Sequence, residues 1–181
     1  QESNSFWQRM TSAPLSQTTP RIKAKSYIEY NLNSTAMLNV LNCLSTNPSA
    51  GQVIQLPMPN GQMRAFKVWR CYAMEAPLAA KFPEIQTFTA YALDDHSATA
   101  KLDFTSFGFH AMIYDGDNTS FIDPYSFQND GHYMVHYKRD GIRPASARML
   151  CGVAGNNQLG NASNMIQVGG PSLPALEHMN A

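Results

Sequence analysis

The sequence predicts a mainly β fold, an antiparallel β-sandwich or partly closed barrel with one short helix at about 34–46, and three observations predict it. Asn60-Gly61 stands between two apolar runs, Val53 to Met58 and Met63 to Trp69, a strong hairpin signal because both turn residues tolerate positive φ. Ala98, Ala100, Leu102 and Phe104 alternate with Thr99, Lys101 and Asp103, the period of two of a half-buried strand. From there to Lys138, short apolar runs follow one another through close turns with no helical period between them, which argues for an antiparallel meander over a parallel sheet.

Taken in order, residues 1–25 hold Ser, Thr, Gln and two prolines with no period, and they read as a flexible N-terminal arm pinned by Phe6 and Trp7. A β-rich domain is expected over residues 26–138. Near its start Asn33, Ser34 and Thr35 offer N-cap oxygens ahead of Met37, Val40, Leu41 and Leu44, which make one apolar helical stripe that Pro48 closes. The hairpin follows, and Pro77 to Lys81 adds one short helical turn. Phe107, Phe109, Ala111 and Ile113 then define a strand, Asp115-Gly116-Asp117-Asn118 a turn into Ser120 to Asp123, and Tyr133, Val135 and Tyr137 a last strand. Residues 139–181 are rich in Gly, Asn, Ala, Pro and Ser and read as a flexible tail or linker, interrupted only by Met149 to Val153.

At 181 residues, the length suits one domain with tails. Thirteen basic and thirteen acidic residues balance, and charged residues are 14% of the chain, so no electrostatic footprint for nucleic acid or an anionic membrane is present. Apolar runs stay below the roughly 18 residues of a membrane span, so no membrane insertion is expected. The abundance of uncharged polar residues points to an exported protein, secreted or periplasmic after loss of a signal peptide. Of the three cysteines, Cys43, Cys71 and Cys151, any single intramolecular disulfide leaves one over, and whether Cys43 pairs with Cys71 stays open.

Several constellations invite a chemical reading and are better explained as structure. His132 and His136 are four apart, like the ligands of a zinc-binding helix, but Tyr133 stands where such a helix carries glutamate and the local pattern is a strand. Along a strand the two would lie about 13 Å apart, too far to share a metal, and they are expected to face outward beside Lys138. Asp115, Asp117 and Asp123 lack the spacing of a calcium loop and read as a hairpin turn. Asp94, Asp95 and His96 read as an ordinary turn, and Trp69 as a core residue with Trp7 docking the arm. No Gly-rich phosphate loop, zinc helix with glutamate or Gly-framed serine is present.

Read together, several phrases carry more. Leu56-Pro57-Met58-Pro59-Asn60-Gly61, Ala79-Ala80-Lys81-Phe82-Pro83-Glu84-Ile85-Gln86-Thr87-Phe88, Asp94-Asp95, Gly108-Phe109-His110-Ala111-Met112-Ile113, Ile122-Asp123-Pro124-Tyr125 and His132-Tyr133 to Lys138 occur in consistent order. They resemble the N-terminal region of bacterial, Bacteroidetes-type, reprolysin-like zinc metallopeptidase precursors, from about Tyr27 to Lys138. The resemblance implies a non-catalytic prodomain that assists folding or export and keeps a downstream catalytic domain latent. That domain is the implied partner, and zinc belongs to it; no cofactor is expected on this chain.

Within the tail, Arg148-Met149-Leu150-Cys151-Gly152-Val153 resembles the cysteine switch of metalloprotease prodomains. The resemblance implies that Cys151 is an inhibitory ligand: its thiolate would take the open fourth position of the partner's zinc and displace the nucleophilic water. Gly152 would allow close approach of the backbone, and Arg148 would supply a supporting charge. The segment departs from the pattern in that Leu150 separates Met149 from Cys151 and Arg148 is not adjacent to the cysteine. Two rivals remain: a carbohydrate-binding or adhesin-like module using Trp7 or Trp69, and a metal-dependent enzyme built on His110, His132 and Asp123.

Overall fold

The computed structural model describes residues 6–11, 19–128 and 130–142. Within them nine strands form one antiparallel sheet: β1 (Trp7–Arg9), β2 (Ile28–Leu32), β3 (Gln52–Pro57), β4 (Met63–Cys71), β5 (Gln86–Ala92), β6 (Thr99–Thr105), β7 (Gly108–Asp115), β8 (Asn118–Pro124) and β9 (His132–Tyr137). Their spatial order is β1-β2-β9-β8-β7-β6-β5-β4-β3, so β3 to β9 are a meander and β2 returns beside β9. The two edges approach each other, since the side chains of Arg9 and Ile28 crowd Gly61 in the β3–β4 turn. The mainly β fold expected from the sequence is therefore a nearly closed barrel.

The period of two explains the core. Phe66 and Val68 of β4, Phe88 and Ala90 of β5, Ala100 and Leu102 of β6, Phe109, Ala111 and Ile113 of β7, Ile122 of β8 and Tyr133 and Val135 of β9 all point inward and are buried. Register stacks them in layers of different size: Val68, Ala90, Ala100 and Ile113 lie at one level, and Phe88, Leu102, Ala111, Ile122 and Val135 at the next. Mixing small and large side chains in this way fills a narrow barrel. Each fully buried Phe or Leu contributes about 2–3 kcal/mol. One polar group joins this core without cost, because the Tyr133 hydroxyl accepts the Phe109 N–H at 3.0 Å.

Helix α1 (Ser34–Asn42) packs onto the end of the barrel where β2 finishes. Asn33 is its N-cap, accepting the Ala36 N–H at 3.0 Å, and Met37 and Leu41 are fully buried. It stops four residues short of the expected end. Arg70, on the inner side of β4, donates to the carbonyls of Leu41 at 3.1 Å and Leu44 at 3.2 Å, consuming acceptors at the helix C-terminus, and Pro48 opens a separate 3-10 turn, Pro48–Ala50. The short turn near Pro77 is helix α2 (Ala76–Lys81).

Four sequence expectations change in the folded chain. Part of the N-terminal arm is strand β1, with Phe6 and Trp7 buried. Trp69 neighbours the inward Val68 and so faces out, against Tyr91 at 5.7 Å, while Trp7 enters the core against Tyr30, Phe109 and Tyr133. Phe107 sits in the β6–β7 turn and is exposed, because the strand begins only at Gly108 with φ 107°, a conformation suited to glycine. The β3–β4 connection is longer than the expected Pro59-Asn60-Gly61: Met58 to Gln62 form it, with Gly61 at φ 85° and Asn60 accepting the Gln62 N–H. Cys43 and Cys71 are free thiols.

Candidate functional site

Alternation also places Asp103 of β6, His110 of β7, Phe121 and Asp123 of β8 and His136 of β9 on the outer wall of four adjacent strands. They join into a ladder. His110 Nδ1 lies 3.0 Å from Asp103 Oδ2, His110 Nε2 is 3.3 Å from Asp123 Oδ1, and His136 Nε2 is 3.2 Å from Asp123 Oδ2. The chain ends where His136 Nδ1 meets the Tyr137 carbonyl at 3.1 Å. Phe121 stands between the two imidazoles, with ring centroids 6.3 Å from His110 and 5.7 Å from His136 and interplanar angles of 30° and 35°.

Proton placement follows from the partners. Both nitrogens of His136 meet accepting oxygens, so with Asp123 ionised that ring carries two protons, whereas His110 hydrogen-bonds Asp103 through Nδ1 and its Nε2 lies at ion-pair distance from Asp123, so its second proton is favoured by charge. The ladder is then an alternation of charge, Asp103 negative, His110 positive, Asp123 negative and His136 positive. The pKa of His110 is raised above the ordinary histidine value, first by the Asp103 hydrogen bond, with burial opposing and Asp123 adding to the rise. At His136 burial is the largest influence and disfavours the charge, yet the Asp123 hydrogen bond, the Tyr137 carbonyl and attraction from Asp123 and Asp140 outweigh it and raise the pKa. A phenyl face beside each imidazolium favours the same charged state.

A second pair continues the wall. His132 Nε2 meets Glu29 Oε2 of β2 at 3.0 Å, and the Tyr125 ring stacks on the imidazole at 4.1 Å and 15°. His132 and His136 thus share the outer face of β9, as expected, but they are not exposed: only 6% and 4% of their surfaces remain accessible, and each has its own carboxylate. The set His110, His132 and Asp123 is not assembled, since His132 is bonded to Glu29 and not to Asp123. Among the described residues no group of three or more His, Cys, Asp or Glu is placed to hold a metal ion.

Beside the ladder is a cleft of ≈ 350 Å³ whose walls include Ile22, Lys23, Phe121, Lys138 and Ile142. At the other rim of the barrel, Arg64 bridges Asp94 and Asp115, each at 2.9 Å, so Asp115 serves an ion pair and Asp123 the ladder, not a common calcium loop. Asp95 caps its own turn by accepting the Ser97 N–H. Cys151, Gly152 and Arg148, the cysteine-switch residues, lie outside the described residues, as does the remainder of segment 148–153.

The sequence named His110, Asp123 and the β9 histidines but missed Asp103 and Glu29 as their partners. The usable signal was parity: each of these residues occupies an outward position of an alternating strand, where a titratable group flanked by apolar neighbours needs a partner across the sheet. No protein-family model, curated protein or solved structure matches this chain.

Proposed function

We propose that this chain is a non-catalytic N-terminal prodomain of a secreted zinc metalloprotease precursor, keeping the catalytic domain latent and assisting its folding or export. What supports the reading is the arrangement of the phrases that carry the resemblance. Gly108 to Ile113, Ile122 to Tyr125 and His132 to Lys138 lie on β7, at the end of β8 and on β9, which are neighbours in the sheet. Of the polar residues within those phrases, His136 hydrogen-bonds Asp123 and His110 lies at ion-pair distance from the same carboxylate. Three of the six phrases therefore fall on one wall whose parts contact each other, and the other three lie on β3 and its turn, on α2 and β5, and in the turn after β5. In this reading the zinc is held by the catalytic domain, and Cys151 is its inhibitory ligand.

The test is reconstitution. Added to the catalytic domain encoded with it, the chain should inhibit hydrolysis, and Cys151→Ala should weaken inhibition far more than Cys43→Ala. Equal inhibition by wild type and Cys151→Ala would assign latency to steric cover by the barrel. A precursor with no His-Glu-x-x-His sequence downstream would end the proposal.

A carbohydrate-binding reading has one observation in its favour: Trp69 faces outward with Tyr91, and Tyr91 meets His96 at 4.5 Å, an aromatic set on the barrel wall. Glycan-array binding abolished by Trp69→Ala would support it.

A further inference from the structure

The ladder lies under a strap made by two distant pieces of chain. The Arg21 N–H donates to the Tyr125 carbonyl at 2.7 Å, the Lys25 N–H to the Asp140 carbonyl at 2.8 Å and the Ile142 N–H to the Lys23 carbonyl at 2.7 Å. Ala24 is bridged to Gly141 in antiparallel fashion. Ile22, Lys23, Gly141 and Ile142 of this strap share one cleft with His110, Asp123 and His136. Residues 21–25 are thus tied to residues 140–142 directly beside the two imidazoles.

We propose that ladder and strap form one proton-operated clasp, closed while His110 and His136 each carry two ring protons and opening as they lose them. The cause is geometric. When His136 gives up a proton, a lone pair turns toward an acceptor, either Asp123 Oδ2 at 3.2 Å or the Tyr137 carbonyl at 3.1 Å, and when His110 does so it keeps its hydrogen bond to Asp103 at 3.0 Å but loses the charge that attracts Asp123 Oδ1 at 3.3 Å. Attraction becomes repulsion, and Asp123, of which 7% is exposed, is left without its cations. Lys23 and Lys138 line the same cleft and are the cations available to it, and Lys23 belongs to the strap. Drawing Lys23 inward pulls on the backbone whose carbonyl holds Ile142.

The charged groups facing the rings come from every neighbouring element: Asp103 on β6, Asp123 on β8, Arg21 and Lys23 on the strap, and Lys138 and Asp140 on the turn after β9. Arg21 opposes protonation of His110, and Asp140 favours that of His136. Since both histidine pKa values are raised on folding, the stabilisation is complete below the unfolded value of about 6.5 and is lost as pH rises through the folded values. The clasp therefore opens toward alkaline pH. This inference does not rest on the prodomain reading; within that reading, it makes the backbone at residues 140–142 more accessible as pH rises.

Native-state amide hydrogen exchange on the full chain tests it, at about pH 5.5 and about pH 8 with correction for intrinsic chemistry. Protection of the Lys25 and Ile142 amides should fall about tenfold or more at the higher pH, the loss expected for a charged hydrogen bond, and should fall further than that of the core amide of Leu102, which follows global stability. The double variant His110→Gln/His136→Gln should lose this dependence, and His96→Gln, on an exposed turn, should keep it. Strap protection equal at both pH values, or a double variant that behaves like wild type, would overturn the proposal. Should the double variant not fold, ring nitrogen shifts of the wild type decide: both rings doubly protonated near pH 6 are expected, and a neutral tautomer at either ring refutes the clasp.

Discussion

On β9 and at Asp123 of β8 the outer face is buried almost as fully as the inner face, by different means. Inside, Phe109, Ile122 and Val135 are fully buried, and outside His136 and Asp123 keep only 4% and 7% of their surface. The inner side chains are interchangeable in chemistry; what each needs is neighbours of the right volume. Each outer side chain needs a particular partner at hydrogen-bond distance, because a buried imidazolium or carboxylate without one is costly. The comparison teaches that burial alone does not say how a surface is held: shape holds the inner face, and proton inventory holds the outer one.

The inner face breaks by volume. Phe109 is buried against Trp7 and Phe104, so Phe109→Ala should destabilise the barrel by about 3–5 kcal/mol in urea or guanidinium unfolding, with no pH dependence of its own. The outer face breaks by charge. Asp123→Asn keeps the shape and removes the anion between two imidazoles, so a loss of about 2–4 kcal/mol is expected near pH 6. That loss should shrink above the raised histidine pKa values, where the wild-type ladder has already lost its protons. An Asp123→Asn effect identical at both pH values would show that the ladder is held by shape after all.

Smaller effects sharpen the contrast. Tyr133→Phe retains core volume and strips the acceptor from the Phe109 N–H, so about 1–2 kcal/mol should be lost, read by the same unfolding curves. Arg64→Ala removes both bridges to Asp94 and Asp115 at a rim where Asp94 is largely exposed, so a smaller loss than at Tyr133 is expected in unfolding curves, shrinking further at high salt. A larger cost at Arg64 than at Asp123 would reverse the ranking of rim and wall.

Much of the fold was legible. Apart from Phe107, the alternation from Ala98 to Tyr137, the turns at Asp94-Asp95 and Gly116, and the Asn33 cap are local patterns, and each appears in the structure where local physics predicts it. Strands β2 and β5 are harder to see in the sequence: Ile28 to Leu32 carries charged Glu29 and polar Asn31, and Gln86 to Ala92 carries Thr at two outward positions, so their apolar alternation is diluted. Trp69 was misassigned because size suggested the core, while parity with Val68 determines its side. The site was legible only in fragments, as titratable residues with no stated partner.

By itself, then, the sequence determined the kind of structure: a neutral, sparsely charged chain with repeated period-two runs and turn residues between them can bury its apolar surface only as an antiparallel β fold. Tertiary structure decided the partners. Asp103 and His110 are joined by a hairpin, but Asp123 meets His136 across β8 and β9, and Glu29 meets His132 across a hundred residues of sequence because β2 returns to pair with β9. Period and turn chemistry act over a few residues, whereas the proton count of each imidazole depends on which oxygen the finished barrel sets in front of it.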